Sequence, residues 1–178
     1  MPLTLTQLRK STQEMDAPEF RGLIEELFKA NVTNKRLLTA LLEGDSSDLL
    51  AKLDSELLKA FRDEGRMPTM KVGGAKKALA AYLKVASSMQ ALDAELRYVE
   101  AGIRCLNAYG DWPENNYGSM EKVFESALKR ARTLDADAVP HKRLAALVKD
   151  GDGFGYGFSD ELAAMYDDFL EELEGEKD

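Results

Sequence analysis

The sequence predicts an all-α protein. Apolar residues recur at helical spacing through nearly the whole chain, and no segment alternates apolar and polar residues between hairpin turns. The chain holds only 5 prolines in 178 residues, and 44% of its residues are hydrophobic, enough for a real core. Helices paired through short loops favour one of two architectures: stacked αα-hairpins of tetratricopeptide or armadillo type, or an irregular bundle of about eight helices.

The first predicted helices carry clear end signals. Asp16 is a candidate N-cap, with Pro18 in the first turn and Glu19 at the capping-box position, and Asn31 is expected to end this helix. A second helix is expected to end at Gly44, where glycine allows a left-handed conformation. The first helix should bury one face, formed by Phe20, Leu23, Ile24, Leu27 and Phe28, and the second carries Leu37, Leu38, Leu41 and Leu42.

A third leucine-rich helix is expected from Asp45 or Ser46 to the stop at Gly65. Residues 66–71 contain a proline and no helical stripe, so they are the best candidate for a boundary. We therefore expect an N-terminal helical group, 1–65, and a C-terminal group, 66–178, packed as one globular unit. Further helices are predicted over residues 75–86, 92–108, 120–131, 144–148 and 162–173, with Gly110 ending the second of these.

The charges are distributed unevenly. Residues 1–65 hold 9 basic and 12 acidic side chains, residues 66–110 hold 7 and 3, and residues 111–178 hold 8 and 17, for a net charge of −8. The basic segment, residues 66–110, holds few positive charges, and the chain as a whole is acidic. The favoured interpretation is that these positive side chains contact the acidic segment, residues 111–178. The sequence therefore predicts no specific binding of nucleic acid.

Enzymatic chemistry has little support in the sequence. His141 is the only histidine and lies in no catalytic or metal-binding motif, so it is expected at the surface. Cys105 is the only cysteine and lies on an apolar stripe, which indicates a packing role and no disulfide. No catalytic residue and no cofactor is predicted. No apolar run is long enough to span a membrane and no export signal is visible, so we expect a cytoplasmic protein.

The most specific segment is KDGDGFGYGFSDEL, residues 149–162. Its glycines alternate with Phe154, Tyr156 and Phe158, so an extended backbone would place the three rings on one side. Phe158 is expected to be buried as a staple, and Tyr156 to lie at a pocket edge. Ser159 is a candidate N-cap for the last helix, with Asp160 in its first turn.

The same segment resembles a calcium-binding EF-hand loop. Asp150, Asp152, Gly155 and Glu161 occupy loop positions 1, 3, 6 and 12. Position 5 is Phe154, which has no side-chain oxygen, and no second loop is present in the sequence. A metal site built from Asp150, Asp152 and Glu161 would therefore be weak, and chance resemblance is the favoured interpretation.

A second aromatic and polar loop surrounds Trp112, with Tyr117 close behind it in the sequence. If helical hairpins stack as predicted, this loop and the glycine loop could lie at one end of the molecule. The favoured interpretation is that Trp112 covers the core between the two flanking helices and has no binding role.

A set of short motifs lies between about residue 65 and residue 170. The motifs are Lys76-Lys77-Ala78, Tyr109-Gly110-Asp111, Tyr117, Ser119, Met120, Phe124, Ala127-Leu128, Gly155-Tyr156-Gly157-Phe158-x-Asp160-x-Leu162 and Tyr166. With these motifs the chain resembles an uncharacterised family of small bacterial helical proteins, a domain of unknown function. The resemblance implies a helical fold without a known activity or ligand.

The leading functional hypothesis is a non-enzymatic module that binds a protein or peptide partner, through a groove between helical hairpins or through the aromatic loops. The candidate binding residues are Trp112, Tyr117, Phe154, Tyr156, Ser159 and Asp160. The alternative is a weak calcium or small-ligand binding protein that uses residues 150–161. No nucleic-acid or membrane partner is expected.

Overall fold

The computed structural model describes residues 2–61, 68–110, 112, 114–155 and 157–175, without the side chains of residues 115 and 174. These residues form nine α-helices and one short 3-10 helix and include no strand, which confirms the predicted all-α class. The chain divides into two compact units, Met1–Ser46 and Ser47–Asp178. The predicted boundary after residue 65 and the predicted stop at Gly65 lie outside the described residues.

The first unit contains three helices, α1 (Leu5–Gln13), α2 (Ala17–Ala30) and α3 (Val32–Glu43), of which α2 and α3 form a hairpin. The predicted ends of α2 and α3 are confirmed: Asp16 and Glu19 form a capping box, Asn31 follows α2, and Gly44 ends α3 at φ +72°. The apolar pattern did not predict α1. Its signal is the capping box that Thr4 forms with Gln7.

The expectation that α2 buries its apolar face is wrong. Phe20, Leu27 and Phe28 are exposed, and Leu23 and Ile24 are only half-buried. Among the described residues of this unit, 2–46, only Ala40 is buried. The helix is amphipathic in sequence, but a hairpin of two short helices has too few neighbours to cover the whole stripe.

The second unit contains α4 (Ser47–Phe61), α5 (Gly73–Tyr82), α6 (Ser88–Tyr109), α7 (Glu114–Ala131), a 3-10 helix (Ala136–Ala138), α8 (His141–Asp150) and α9 (Phe158–Gly175). They pair as three hairpins in chain order, α4 with α5, α6 with α7, and α8 with α9. The middle hairpin packs against both others. The first helices of the three hairpins are thus neighbours in the order α4, α6, α8.

Two helix starts differ from the apolar pattern. A capping box of Ser87 with Gln90 begins α6 at Ser88, four residues before the predicted start at residue 92. Glu114 begins α7 six residues before the predicted start at residue 120. Apolar periodicity locates the middle of a helix, whereas caps and polar first turns set its ends.

Aromatic rings form the centre of the second unit. Phe61 stacks on Trp112 at a centroid distance of 5.5 Å and meets Tyr98 edge-on at 5.5 Å, and Tyr117 contacts Phe158 at 5.1 Å. These contacts join α4, α6, α7 and α9 in one core. In the described part of the chain, no helix combines the length and the apolar composition that crossing a bilayer requires.

Candidate functional site

An open groove of about 500 Å³ lies between α4 and α6. We call it the α4–α6 groove. Leu57, Phe61 and Cys105 are buried at its floor, whereas Leu58 on α4 and Tyr109 on α6 are 44% and 42% exposed. The remaining lining residues are Asp54, Arg97, Ala101, Arg104 and Ala108. The groove therefore combines an apolar floor and walls with charged groups.

A row of ion pairs connects the first helices of the three hairpins. Arg97 on α6 contacts Asp93 at 2.7 Å on its own helix and Asp54 on α4 at 3.5 Å. On the other side of α6, Arg143 of α8 bonds to Asp93 at 2.6 Å and to Glu100. The row holds α8 against α6 and extends to α4 only through the longer Arg97–Asp54 pair. Arg97, its arginine nearest α4, lines the groove.

The arginines control the ionisation of the row. Burial would raise the pKa of Asp93, but hydrogen bonds from Arg143 and Arg97 outweigh it and hold the pKa of that carboxyl below its ordinary value. The bond to Glu100, and then the one to Asp93, raise the pKa of Arg143. Asp93 and Arg143 are therefore both charged at neutral pH.

A buried ion pair between Glu95 and Arg130 holds α6 against α7, away from the row. The carboxylate of Glu95, 1% exposed, accepts hydrogen bonds from Arg130 at 2.9 and 3.2 Å and from the Ser126 hydroxyl at 2.7 Å. Both carboxylate oxygens are thus satisfied, as burial requires. The pair specifies which faces of the two helices meet.

Cys105 is inert at the groove floor. Burial raises the pKa of its thiol to about 11, although a hydrogen bond involving Trp112 opposes that rise. The sulfur also lies 3.9 Å from the sulfur of Met70. The predicted packing role of Cys105 is confirmed by its burial, and so is the surface position of His141 by its exposure.

The two residues singled out around the tryptophan loop lie in the core. Trp112 is 5% exposed and Tyr117 is 1% exposed. Their rings are 5.9 Å apart and pack among Phe61 and Phe158. Because these rings have almost no free surface, they close the core of the second unit and do not form the predicted binding surface.

The glycine loop is turned, not extended. Gly153 and Gly157 adopt φ values of +82° and +74°, which break the extended course that would have placed the aromatic rings on one side. Phe158 is fully buried, as predicted, and Phe154 is half-buried. Tyr156 lies outside the described residues.

Ser159 does not cap α9, because α9 already begins at Phe158. Its hydroxyl oxygen accepts from the backbone N–H of Phe154 at 3.0 Å, and its hydrogen is directed to the carbonyl of Gly151 at 2.9 Å. The Ser159 hydroxyl therefore links the backbone of the loop at residues 151 and 154 to the first turn of α9. Asp160 is exposed beside it in the first turn of α9.

The residues of the hypothetical calcium site are not gathered into a metal-binding group. Among the described residues, no three His, Cys, Asp or Glu side chains lie close enough to hold a metal ion. Asp150 is the last residue of α8, and its carbonyl accepts from Asn107 on α6 at 3.0 Å. Asp152 and Glu161 are exposed. The resemblance to an EF-hand loop thus has no support in these contacts.

A second cavity of about 520 Å³ is lined by Lys76, Glu114, Tyr117, Gly118, Ser119, Glu121 and Lys122. Burial, and then the negative charge of Glu161, raise the pKa of Glu121. Because two lysines and two glutamates line it, the cavity favours neither an anionic nor a cationic ligand. It is a weaker candidate than the α4–α6 groove.

Sequence reasoning missed the groove residues. Leu58 lies in the leucine-rich helix predicted before Gly65, and Arg97 and Arg104 belong to the basic segment 66–110, but nothing in the local sequence sets them apart from their neighbours. The groove joins two helices about 40 residues apart in the chain, so no local motif marks it. No family model matches this chain, and no curated protein and no solved structure matches it either.

Proposed function

We propose that the protein is a binding module whose α4–α6 groove accepts an amphipathic helical segment of a partner protein. The observation that carries the proposal is the groove itself, in which Leu58 and Tyr109 expose apolar surface on facing helices beside two arginines. An amphipathic helix lays its apolar face into a groove of this kind, with anchors spaced at i, i+3 or i+4 and i+7.

The shape of the groove supports a helix as its ligand. Ala101 and Ala108 on α6 are small, so a backbone can approach closely between the larger Leu58 and Tyr109. Successive helical hairpins create concave surfaces, and this groove lies between the first helices of two successive hairpins. A partner helix there would cover Leu58 and Tyr109.

The charges support an acidic partner segment. The Arg104 side chain is 71% exposed and lies 4.0 Å from a carboxylate oxygen of Glu100. Arg97 meets Asp54 at only 3.5 Å, with both side chains nearly half exposed. An exposed pair of 4.0 Å contributes little, so the Arg104 guanidinium can bind a carboxylate of the partner, whereas Arg97 is already hydrogen-bonded to Asp93 at 2.7 Å.

The test is a selection from a randomised library of 16-residue peptides displayed on phage, with the intact protein as bait. We expect selected peptides with apolar residues at helical spacing and with Asp or Glu among them. Their affinity should fall at least tenfold for Leu58→Glu and for Arg104→Glu. Met89→Glu is the matched control, because Met89 is 43% exposed on α6 but does not line the groove.

Two results would contradict the proposal. Selected peptides that bind Leu58→Glu as tightly as the parent protein would place the binding surface elsewhere. Basic peptides whose binding survives Arg104→Glu would exclude the acidic partner. Emission of Trp112, the only tryptophan, checks that each variant keeps the fold of the second unit.

A further inference from the structure

The first unit exposes an apolar stripe that the groove proposal does not use. The stripe runs along α2 and consists of Phe20, Leu23, Ile24, Leu27 and Phe28. Phe20 and Leu27 are both 44% exposed and Phe28 is 39% exposed. Side chains at this spacing share one helical face, so the stripe is continuous and ready to pack against another surface.

We infer that this stripe is a self-association surface, which pairs α2 of one chain with α2 of a second copy. The inference is independent of the proposed function, since it concerns the other unit and a different occupant. Isologous pairing uses the same patch on both copies, and α2–α3 hairpins that pair in this way would form a four-helix bundle.

The size of the unit supports this inference. It spans 46 residues, near the lower limit at which a domain folds without disulfides, metals or association, and it contains no cysteine. Ala40 is its only buried residue within 2–46. A second hairpin would supply the core that one hairpin lacks.

The exposed apolar surface of this unit extends beyond the stripe. Nine large apolar side chains of this unit are exposed: Leu3, Leu5, Leu8, Phe20, Leu27, Phe28, Val32, Leu41 and Leu42. Phe20, Leu27 and Phe28 lie on the α2 stripe, and the other six lie within residues 3–8 and on α3. A standard specific interface takes about 800 Å² from each partner, so the stripe would supply its centre and apolar side chains of α1 and α3 would be needed around it.

The charges favour a second copy over a membrane or a strongly charged partner. Residues 1–46 hold six basic and seven acidic side chains, so two copies would repel each other little. Helices that lie on anionic membranes carry a polar face rich in Lys and Arg. Here Glu25 and Glu26 lie on the polar face, and Lys29 is already 3.6 and 3.5 Å from their carboxylates.

The first test is the mass of the full chain, measured by sedimentation velocity from 1 to 200 µM. We expect a concentration-dependent shift from monomer to dimer, which Phe20→Glu and Leu27→Glu abolish and Met89→Glu leaves unchanged. Both substituted residues are exposed, so circular dichroism should show unchanged helix content. A parent chain that is monomeric at every concentration would overturn the inference, as would dimers that survive both glutamate variants.

The second test does not depend on the folding of those variants. Leu23→Cys lies on the stripe and Gly22→Cys lies on the opposite side of α2, where a side chain meets no atom within 4 Å. Because Cys105 is buried, a short bis-maleimide should cross-link two copies of Leu23→Cys and far fewer of Gly22→Cys. Equal cross-linking would refute the α2 interface. Binding of the parent chain to vesicles with 30% anionic lipid, without dimers, would assign the stripe to a membrane.

Discussion

Replacing Arg130 with Met is expected to destabilise the Ser47–Asp178 unit more than replacing Glu95 with Gln. The structure makes the two ends of this pair unequal. The Glu95 side chain is 1% exposed, whereas that of Arg130 is 28% exposed and can reach water. An orphaned carboxylate would therefore stay in the core, while an orphaned guanidinium could be hydrated.

The magnitudes follow from this difference. Arg130→Met leaves the buried carboxylate with Ser126 as its only partner among those described, and breaking a buried pair in this way costs about 3–5 kcal/mol. Glu95→Gln keeps an oxygen that can accept from Arg130 and Ser126, so we expect a loss of about 1–2 kcal/mol.

The assay is urea unfolding followed by the emission of Trp112, which is buried in this unit and reports on it alone. Lys129→Met is the matched control, since Lys129 pairs with Glu125 on the exposed side of α7. We expect its midpoint to equal that of the parent protein. Equal losses for Arg130→Met and Glu95→Gln, or an Arg130→Met midpoint equal to the control, would refute the reasoning.

Three further predictions use the same protein. Asp93 has a lowered pKa in the folded state, so it contributes stability above its unfolded pKa of about 3.9, and this contribution is lost as pH falls through the folded value. The urea midpoint of Asp93→Asn should therefore drop less than that of the parent between pH 6 and pH 3; an equal drop contradicts this. Phe158→Ala should cost about 3–5 kcal/mol of unfolding free energy, since the ring is fully buried; an unchanged urea midpoint would contradict its place in the core. Cys105, whose pKa is raised to about 11, should react with a thiol reagent at pH 8 only after unfolding, and rapid labelling of the native chain would count against its burial.

The candidate site shows where sequence reasoning failed. The glycine loop has an unusual composition, which suggested a functional surface. In the structure that composition forms a turn, because Gly153 and Gly157 adopt positive φ angles and the Ser159 hydroxyl bonds to the loop backbone. The α4–α6 groove has no unusual composition. Leu58 looks like any other leucine of its helix, and only the position of α6 beside α4 makes it part of a surface.

The sequence by itself determined the helices. Asp16 with Glu19, Asn31 and Gly44 mark helix ends because capping involves groups within a few residues of each other. Burial was decided by the tertiary structure. Phe20 and Phe158 are both aromatic residues on amphipathic helices, yet the first is 44% exposed and the second is fully buried. The difference is that Phe158 contacts Tyr117, some 40 residues earlier in the chain, and a contact between distant segments leaves no local pattern in the sequence.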